Sequence, residues 1–228
     1  YERAYSEEAL GRLAEAGVGL VWVPFFRGFG LEFEKRHSER ARAVIEQAHA
    51  RGLRAAARIS LGALTPETLL LEEAEAQNWF QVNQDGHATI FSAGGSFRVR
   101  PCYVSEGYLR YMERVCGQAL DAKADLIHFD DLGFNPEPDT CRSPESVALY
   151  REMLRDKYGT QDDKTRAAGQ ARFGHHTFTH VRPPAFADRA QAAALRALEG
   201  VHIQEWGNFK AYSVRSCLER MIRCIERR

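Results

Sequence analysis

Three times in its first 131 residues the chain runs an amphipathic helical pattern into a short break and then, within one or two residues, into an apolar strand. Ser6 is placed to cap a helix with Leu10, Leu13 and Ala14 on one face, Gly17 ends it, and "GVGLVWVPFF" follows as a buried strand. Ser38 is placed to cap a second helix carrying Ala41, Val44, Ile45 and Ala48, Gly52 ends that one, and "LRAAARIS" follows. Ser105 opens a third, through Tyr108, Leu109, Met112, Val115, Cys116 and Ala119, and "DLIHFDD" follows. Strands that alternate with helices pair in parallel, because each helix carries the chain back across the sheet.

The connections are unequal. Helix-to-strand links are one or two residues, whereas residues 27–37, 62–104 and 132–142 follow the strands. Long loops after strands build the working face of a (β/α) barrel, so an α/β fold of the TIM-barrel type, (β/α)8, is expected ahead of a doubly wound sheet. No G-x-G-x-x-G or phosphate-binding loop follows any strand. A full barrel takes about 250 residues and eight strands. Strands near 18–26, 53–61 and 125–131 therefore predict one partial domain over 1–228, the N-terminal half of a barrel. A helix from Ser143-Pro144 to Gly159, an irregular segment over 160–200 and a long C-terminal helix over 203–227 complete the reading.

Charge narrows the partners. Lys and Arg number 31 and so do Asp and Glu, so no net field draws the chain to nucleic acid or to an anionic membrane. No apolar run reaches the roughly 20 residues that span a bilayer, and Tyr1 opens no signal-peptide pattern. The chain is expected to be processed or cut from something longer. The five cysteines, Cys102, Cys116, Cys141, Cys217 and Cys224, include no C-x-x-C pair, which argues against a disulfide framework or a thiolate zinc site and favours a reducing, cytoplasmic setting.

The strand "DLIHFDD" ends on paired acids. Alternation puts Ile127, Phe129 and Asp131 on one face and Leu126, His128 and Asp130 on the other. Ile127 and Phe129 suit the helix-packed outside, so His128 and Asp130 point into the barrel. A carboxylate there must be paired, hydrogen-bonded or used. Asp130 leads the candidate catalytic residues and Asp131 supports it. The plainer alternative is that Asp130 only holds Arg58 or His128, and that Asp131 caps the following loop. Arg58 and Ser60 share a strand face and, if inward, bring a guanidinium to the same mouth; Arg98 and Arg100, just ahead of the third helix, are placed to reach its rim. Most aromatics in these loops are expected in the core, with Phe26, Trp79 and Tyr103 the candidates for stacking on a sugar ring. His175, His176 and His180 lie close in sequence, but neighbouring Gly, Thr and Pro make that stretch a loop, and neither a metal nor a cofactor is expected.

The chain resembles the glycoside hydrolase TIM barrels, notably the family 42 β-galactosidases and related glycosidase-like barrels. The likeness rests on "GVGLVWVPFF", on "NWFQVNQDGH", on "LIHFDDLG" followed by Cys141 and "YREMLRDKYGT", and on "RFGHHTFTHVRPP" and "EWGNFKAYSV" beyond them. It implies that the visible strands are the second, third and fourth of the barrel, with the first before Tyr1 and the rest after Arg228. Two departures matter. The family ends its fourth strand in Asp-Asn-Glu, the Glu being the acid/base, where this chain has Asp130, Asp131 and Leu132; and the family's zinc-binding cysteine cluster is reduced to Cys141, so no zinc is expected.

The resemblance therefore implies an O-glycoside hydrolase acting on a carbohydrate, with Asp130 and Asp131 as the acids and Arg58, His128, Phe26, Trp79, Arg100 and Tyr103 binding substrate. A homo-oligomer is compatible with it. The alternatives are a catalytically inactive carbohydrate-binding barrel and a metal-dependent hydrolase using His128, Asp130 and Asp131.

Overall fold

At the head of the first helix the Ser6 hydroxyl accepts from the Ala9 N–H at 3.2 Å, and Glu7 and Glu8 occupy the first turn, where negative charge opposes the helix dipole. The structure is a computed structural model that describes residues 3–93, 96–159, 162–174, 178–197 and 200–228. Its elements run α1 (Glu7–Glu15), β1 (Leu20–Phe26), α2 (Lys35–His49), β2 (Arg54–Ser60), α3 (Pro66–Glu72), a 3₁₀ turn (Ala74–Trp79), β3 (Ile90–Ala93), β4 (Ser96–Val99), α4 (Glu106–Asp121) and β5 (Leu126–Asp130). Then come α5 (Pro144–Tyr158), α6 (Asp163–Phe173), α7 (Arg189–Ala197) and α8 (Val201–Glu226).

β1, β2 and β5 form a parallel sheet in that order, while β3 and β4 make a separate antiparallel pair. One face of the parallel sheet, Val21, Val23, Ala55, Ala57 and Ile59, is buried in a single apolar cluster with Ala41, Val44, Ile45 and Ala48 of α2 and Tyr108, Met112 and Val115 of α4. Burying such side chains stabilises the fold by about 1.5–3 kcal/mol for each large one. Both crossover helices thus cover the same side, as in a barrel and unlike a doubly wound sheet, which is covered on both. Three described strands leave the sheet open, and a closed barrel is not shown. A second apolar cluster, Tyr150, Leu154, Tyr158, Phe173, Phe178, Val181, Trp206 and Phe209, joins α5, α6 and α8 beside the first.

The other face of the sheet carries Trp22, Pro24, Ala56, Arg58, Ser60, His128 and Asp130. Trp22 and His128 meet across β2 with ring centroids 4.2 Å apart, because Ala56, paired with Trp22 on one side and Leu126 on the other, is too small to separate them. Trp22 remains 52% exposed, so this face has little cover.

Three expectations change. Ser38 does not cap α2: the helix begins at Lys35, with Glu34 at the cap position and the Ser38 hydroxyl donating back to Lys35 O at 2.9 Å. The Glu34 carboxylate is taken by the loop before it, accepting from the backbone N–H of Arg27 at 3.0 Å and of Phe29 at 2.8 Å. Ser105 stands at the head of α4 but its side chain makes no cap bond. Residues 160–200 are not irregular throughout, since α6 and α7 lie within them. In α6 the Ala, Arg and Gln content favours helix without a strong apolar period to announce it, whereas α7 is amphipathic.

Candidate functional site

The site is built where β2 and β5 end. Arg58 pairs with His128 in the register and Ser60 with Asp130, so the polar ends of the two strands lie side by side. Arg58 Nε donates to Asp130 Oδ2 at 2.6 Å, and Asp130 Oδ1 accepts the Asp131 N–H at 2.7 Å. The Asp131 N–H first, then the Arg58 guanidinium, hold the Asp130 carboxyl below the ordinary carboxylate range. Its side chain is 32% exposed, so the carboxylate is partly open to solvent with both oxygens engaged.

Asp131 departs from the strand pattern. Strict alternation sends its side chain to the helix side, but its φ is +63°, a left-handed conformation that Asp tolerates better than most residues. The side chain instead accepts from the Ser60 hydroxyl through Oδ2 at 2.7 Å and lines the cleft on the inner face. This turn packs tightly against β2's exit: a Cβ on Gly62 would stand 1.8 Å from the Asp131 carbonyl oxygen, so only glycine fits. Arg100 Nη1 donates to that same Asp131 carbonyl at 3.0 Å, and its guanidinium lies 4.7 Å from the Phe91 ring centroid.

The cleft measures about 220 Å³ and is lined by Pro24, Phe26, Arg27, Arg58, Ser60, Arg98 and Asp131. That is below the roughly 300–1,000 Å³ of a complete small-molecule pocket. Its lining carries three guanidinium groups against one carboxylate. Arg27 Nε is bound to Glu34 at 3.0 Å, and both Arg27 and Arg98 lie over the Phe29 ring, at 5.2 Å and 4.8 Å from its centroid. Such a surface presents hydrogen-bond donors to a hydroxyl-rich or anionic ligand.

The structure brings together Arg58, Asp130, Asp131, Arg100 and, across the sheet, His128. It separates the aromatic candidates. Trp79 is not on the rim: it is 6% exposed and packs on Tyr111 with centroids 5.4 Å apart, against Gly107 of α4. Tyr103 is equally withdrawn, its hydroxyl accepting the Gly133 N–H at 3.0 Å and donating to Gly133 O at 2.9 Å, with burial pushing its pKa up to about 12. Phe26 is 2% exposed and belongs to the core, touching only the edge of the cleft, because a bulge between Pro24 and Phe26 shifts the register of β1 there. Arg27 was legible only as the first residue after "VPFF", where a barrel strand hands over to its loop.

A metal reading finds no support. Among the described residues no three His, Cys, Asp or Glu side chains converge on a point, and His128 stacks on Trp22 while Asp130 and Asp131 turn to Arg58 and Ser60. His175 and His176 lie outside the described residues. No described helix is long and apolar enough to cross a membrane. A larger cleft of about 760 Å³ lies between α4 and α8 in the helix layer, where Arg220 pairs with Glu106 and Glu113.

No family model matches the sequence, and no curated protein matches it. Solved structures do. The chain is similar over its whole length to β-galactosidase from the psychrophilic Marinomonas ef1, with a TM-score of 0.68 and 15% identity, covering 34% of that chain. It is similar over 99% of its length to the cold-adapted β-galactosidase from Rahnella sp. R3, with a TM-score of 0.64 and 16% identity, covering 32% of that chain. The chain shares the fold of the corresponding third of these two β-galactosidases. The catalytic domain of β-amylase from Paenibacillus polymyxa is also similar, with a TM-score of 0.62, 11% identity, and 98% of this chain set on 59% of that one. The chain thus spans about a third of the length of the two galactosidases, and these likenesses concern the fold alone.

Proposed function

We propose that this chain supplies the second, third and fourth strands of a glycoside hydrolase barrel acting on O-glycosidic bonds, with Asp130 and Asp131 in its carbohydrate site. The observation that carries the reading is the cleft at the ends of parallel strands, where Asp131 and Arg58 face one space and the Asp131 N–H and the Arg58 guanidinium both bind the Asp130 carboxylate beside it.

Chemistry constrains the roles. A carboxyl held below its ordinary pKa is a poor proton donor at neutral pH, so Asp130 is assigned to a role that needs the anion, as nucleophile or as stabiliser of the oxocarbenium-like transition state. Asp131, Arg58 and Arg100 bind sugar hydroxyls or hold the turn that presents them. The proton donor must be a second carboxyl, about 5 Å away for retention or about 6.5–9.5 Å for inversion. On this reading a further strand of the barrel provides it, because Leu132 stands where the family 42 pattern has its Glu.

The test is aglycone release from a panel of aryl glycosides by the full-length protein and its Asp130→Asn variant. A loss of at least about 100-fold with unchanged folding is expected; equal rates would remove Asp130 from the mechanism. A binding barrel without hydrolysis is the second reading, favoured by Leu132 and by the engagement of both Asp130 oxygens. It predicts no release from any glycoside, and saccharide affinity that survives Asp130→Asn.

A further inference from the structure

Beyond the strand-end cleft the chain builds a second one. The loop after β5 runs from Asp131 to Asn135, a stretch of chain that spans at most about 14 Å, and there it meets α7 and α8 around a cleft of about 440 Å³. That volume falls within the range of small-molecule sites, roughly 300–1,000 Å³. Phe134 and Pro136 of the loop and Ala192 of α7 form an apolar wall, and the polar groups are Asn135, Glu137, Arg189, Arg196 and Lys210. Pro136, Arg189 and Arg196 are exposed, so the cleft is open to solvent.

Its acceptors are engaged and its donors are not. Glu137, the only carboxylate of the lining, accepts from Trp206 Nε1 at 2.8 Å and Lys210 Nζ at 2.9 Å through Oε1, and from Arg142 Nη2 at 2.8 Å through Oε2. Lys210 Nζ has three N–H bonds and gives one to Glu137, while the Arg189 guanidinium gives one to Asp139 Oδ2 at 3.3 Å. Arg196 makes no ion pair among the described residues. Asn135 is 5% exposed, and its Nδ2 has no hydrogen-bond partner among them. A buried N–H without an acceptor is unfavourable, and an acceptor held in the cleft removes that cost. A neutral sugar hydroxyl both donates and accepts, whereas a carboxylate or sulfate oxygen only accepts. A lining of three cations with one carboxylate already bound favours the second kind of ligand.

We propose that this cleft is a binding site for an oxyanion, held by Arg196, Lys210 and the Asn135 amide, with the body of the ligand against Phe134 and Pro136. The carboxylate of a sugar acid and a free inorganic phosphate or sulfate share that chemistry. Neither needs hydrolysis at Asp130, so the site stands or falls apart from the glycosidase reading.

Isothermal titration calorimetry of the protein with glucuronate, inorganic phosphate, sulfate and glucose tests it. At least one of the anions should bind about tenfold or more tightly than glucose. Arg196→Gln, which removes a charged donor, and Asn135→Asp, which sets a carboxylate against the anion, should each weaken that binding by at least about tenfold with the circular dichroism unchanged. Arg223→Gln, in the cleft between α4 and α8, should leave it unchanged. Glucuronate ahead of phosphate and sulfate identifies a sugar acid whose ring uses the Phe134 wall, and the reverse order identifies a free inorganic anion. No anion binding up to about 10 mM, equal affinity for glucose, or full affinity in Arg196→Gln overturns the proposal. Loss of binding in Arg58→Gln with Arg196→Gln unaffected places the anion in the strand-end cleft and overturns it as well.

Discussion

Glu137 is the most consequential charge in the loop that leaves the candidate site. Its carboxylate accepts from Arg142 Nη2 at 2.8 Å, Trp206 Nε1 at 2.8 Å and Lys210 Nζ at 2.9 Å, and so joins the segment after β5 to the N-terminal part of α8. The side chains of Glu137, Arg142 and Lys210 are 5%, 8% and 16% exposed. Glu137→Gln keeps the shape but removes the charge, leaving two cations in low dielectric with no counter-ion. Breaking a buried pair in this way costs about 3–5 kcal/mol. The lower end applies here, because Arg142 keeps its bonds to the carbonyls of Pro138, Thr140 and Pro184, and Lys210 has a flexible stem on which to reach water. For a chain of this length about 3 kcal/mol corresponds to a fall in Tm of about 6–12 °C. Thermal and urea unfolding followed by circular dichroism measures it, with Glu145→Gln on the exposed face of α5 as a control expected within about 0.5 kcal/mol. A loss below about 1 kcal/mol for Glu137→Gln would refute the reasoning, since it would mean the three partners are solvated.

Acidification should act through carboxylates such as Asp130, whose folded pKa lies below its unfolded one. Their contribution is complete above the ordinary carboxylate pKa of about 4 and is lost as pH falls through the depressed folded value; a protein that gains stability from pH 5 to pH 2 contradicts that sign. Trp79→Ala should cost about 3–5 kcal/mol as a core truncation and leave the saccharide affinity of the folded fraction unchanged, and a selective loss of binding at full stability would return Trp79 to the ligand's side.

What the sequence made legible is what local periodicity controls. The alternation of "DLIHFDD" placed Ile127 and Phe129 against the helices and His128 and Asp130 opposite them, and the structure agrees, because a strand's two faces are set by geometry within a few residues. Asp131 escaped that rule as soon as its φ turned positive, a change that no pattern of apolar residues announces. Trp79 was misplaced for another reason: its neighbours Gly107 and Tyr111 lie about 30 residues on and come into contact only through tertiary packing. The same holds for Cys102 and Cys141, which meet at the Ser146 hydroxyl only through tertiary packing.

The paired acids at the end of β5 have a structural cause that does not compete with a chemical one. Parallel pairing sets Asp130 beside Ser60 and His128 beside Arg58, so β2 offers a guanidinium and a hydroxyl at the point where β5 leaves the sheet. Asp130 takes the first and Asp131 the second, which ends the strand with both carboxylates hydrogen-bonded. Had both carboxylates been sequestered there, the strand end would be scaffold alone. Asp130 keeps a third of its side chain in contact with solvent, and Asp131 lines the cleft together with Arg58. The pairing therefore favours the anion at Asp130 and fixes the direction of both carboxylates, while Asp130 stays open to solvent and Asp131 to the cleft, which is what the proposed action on a sugar requires of them.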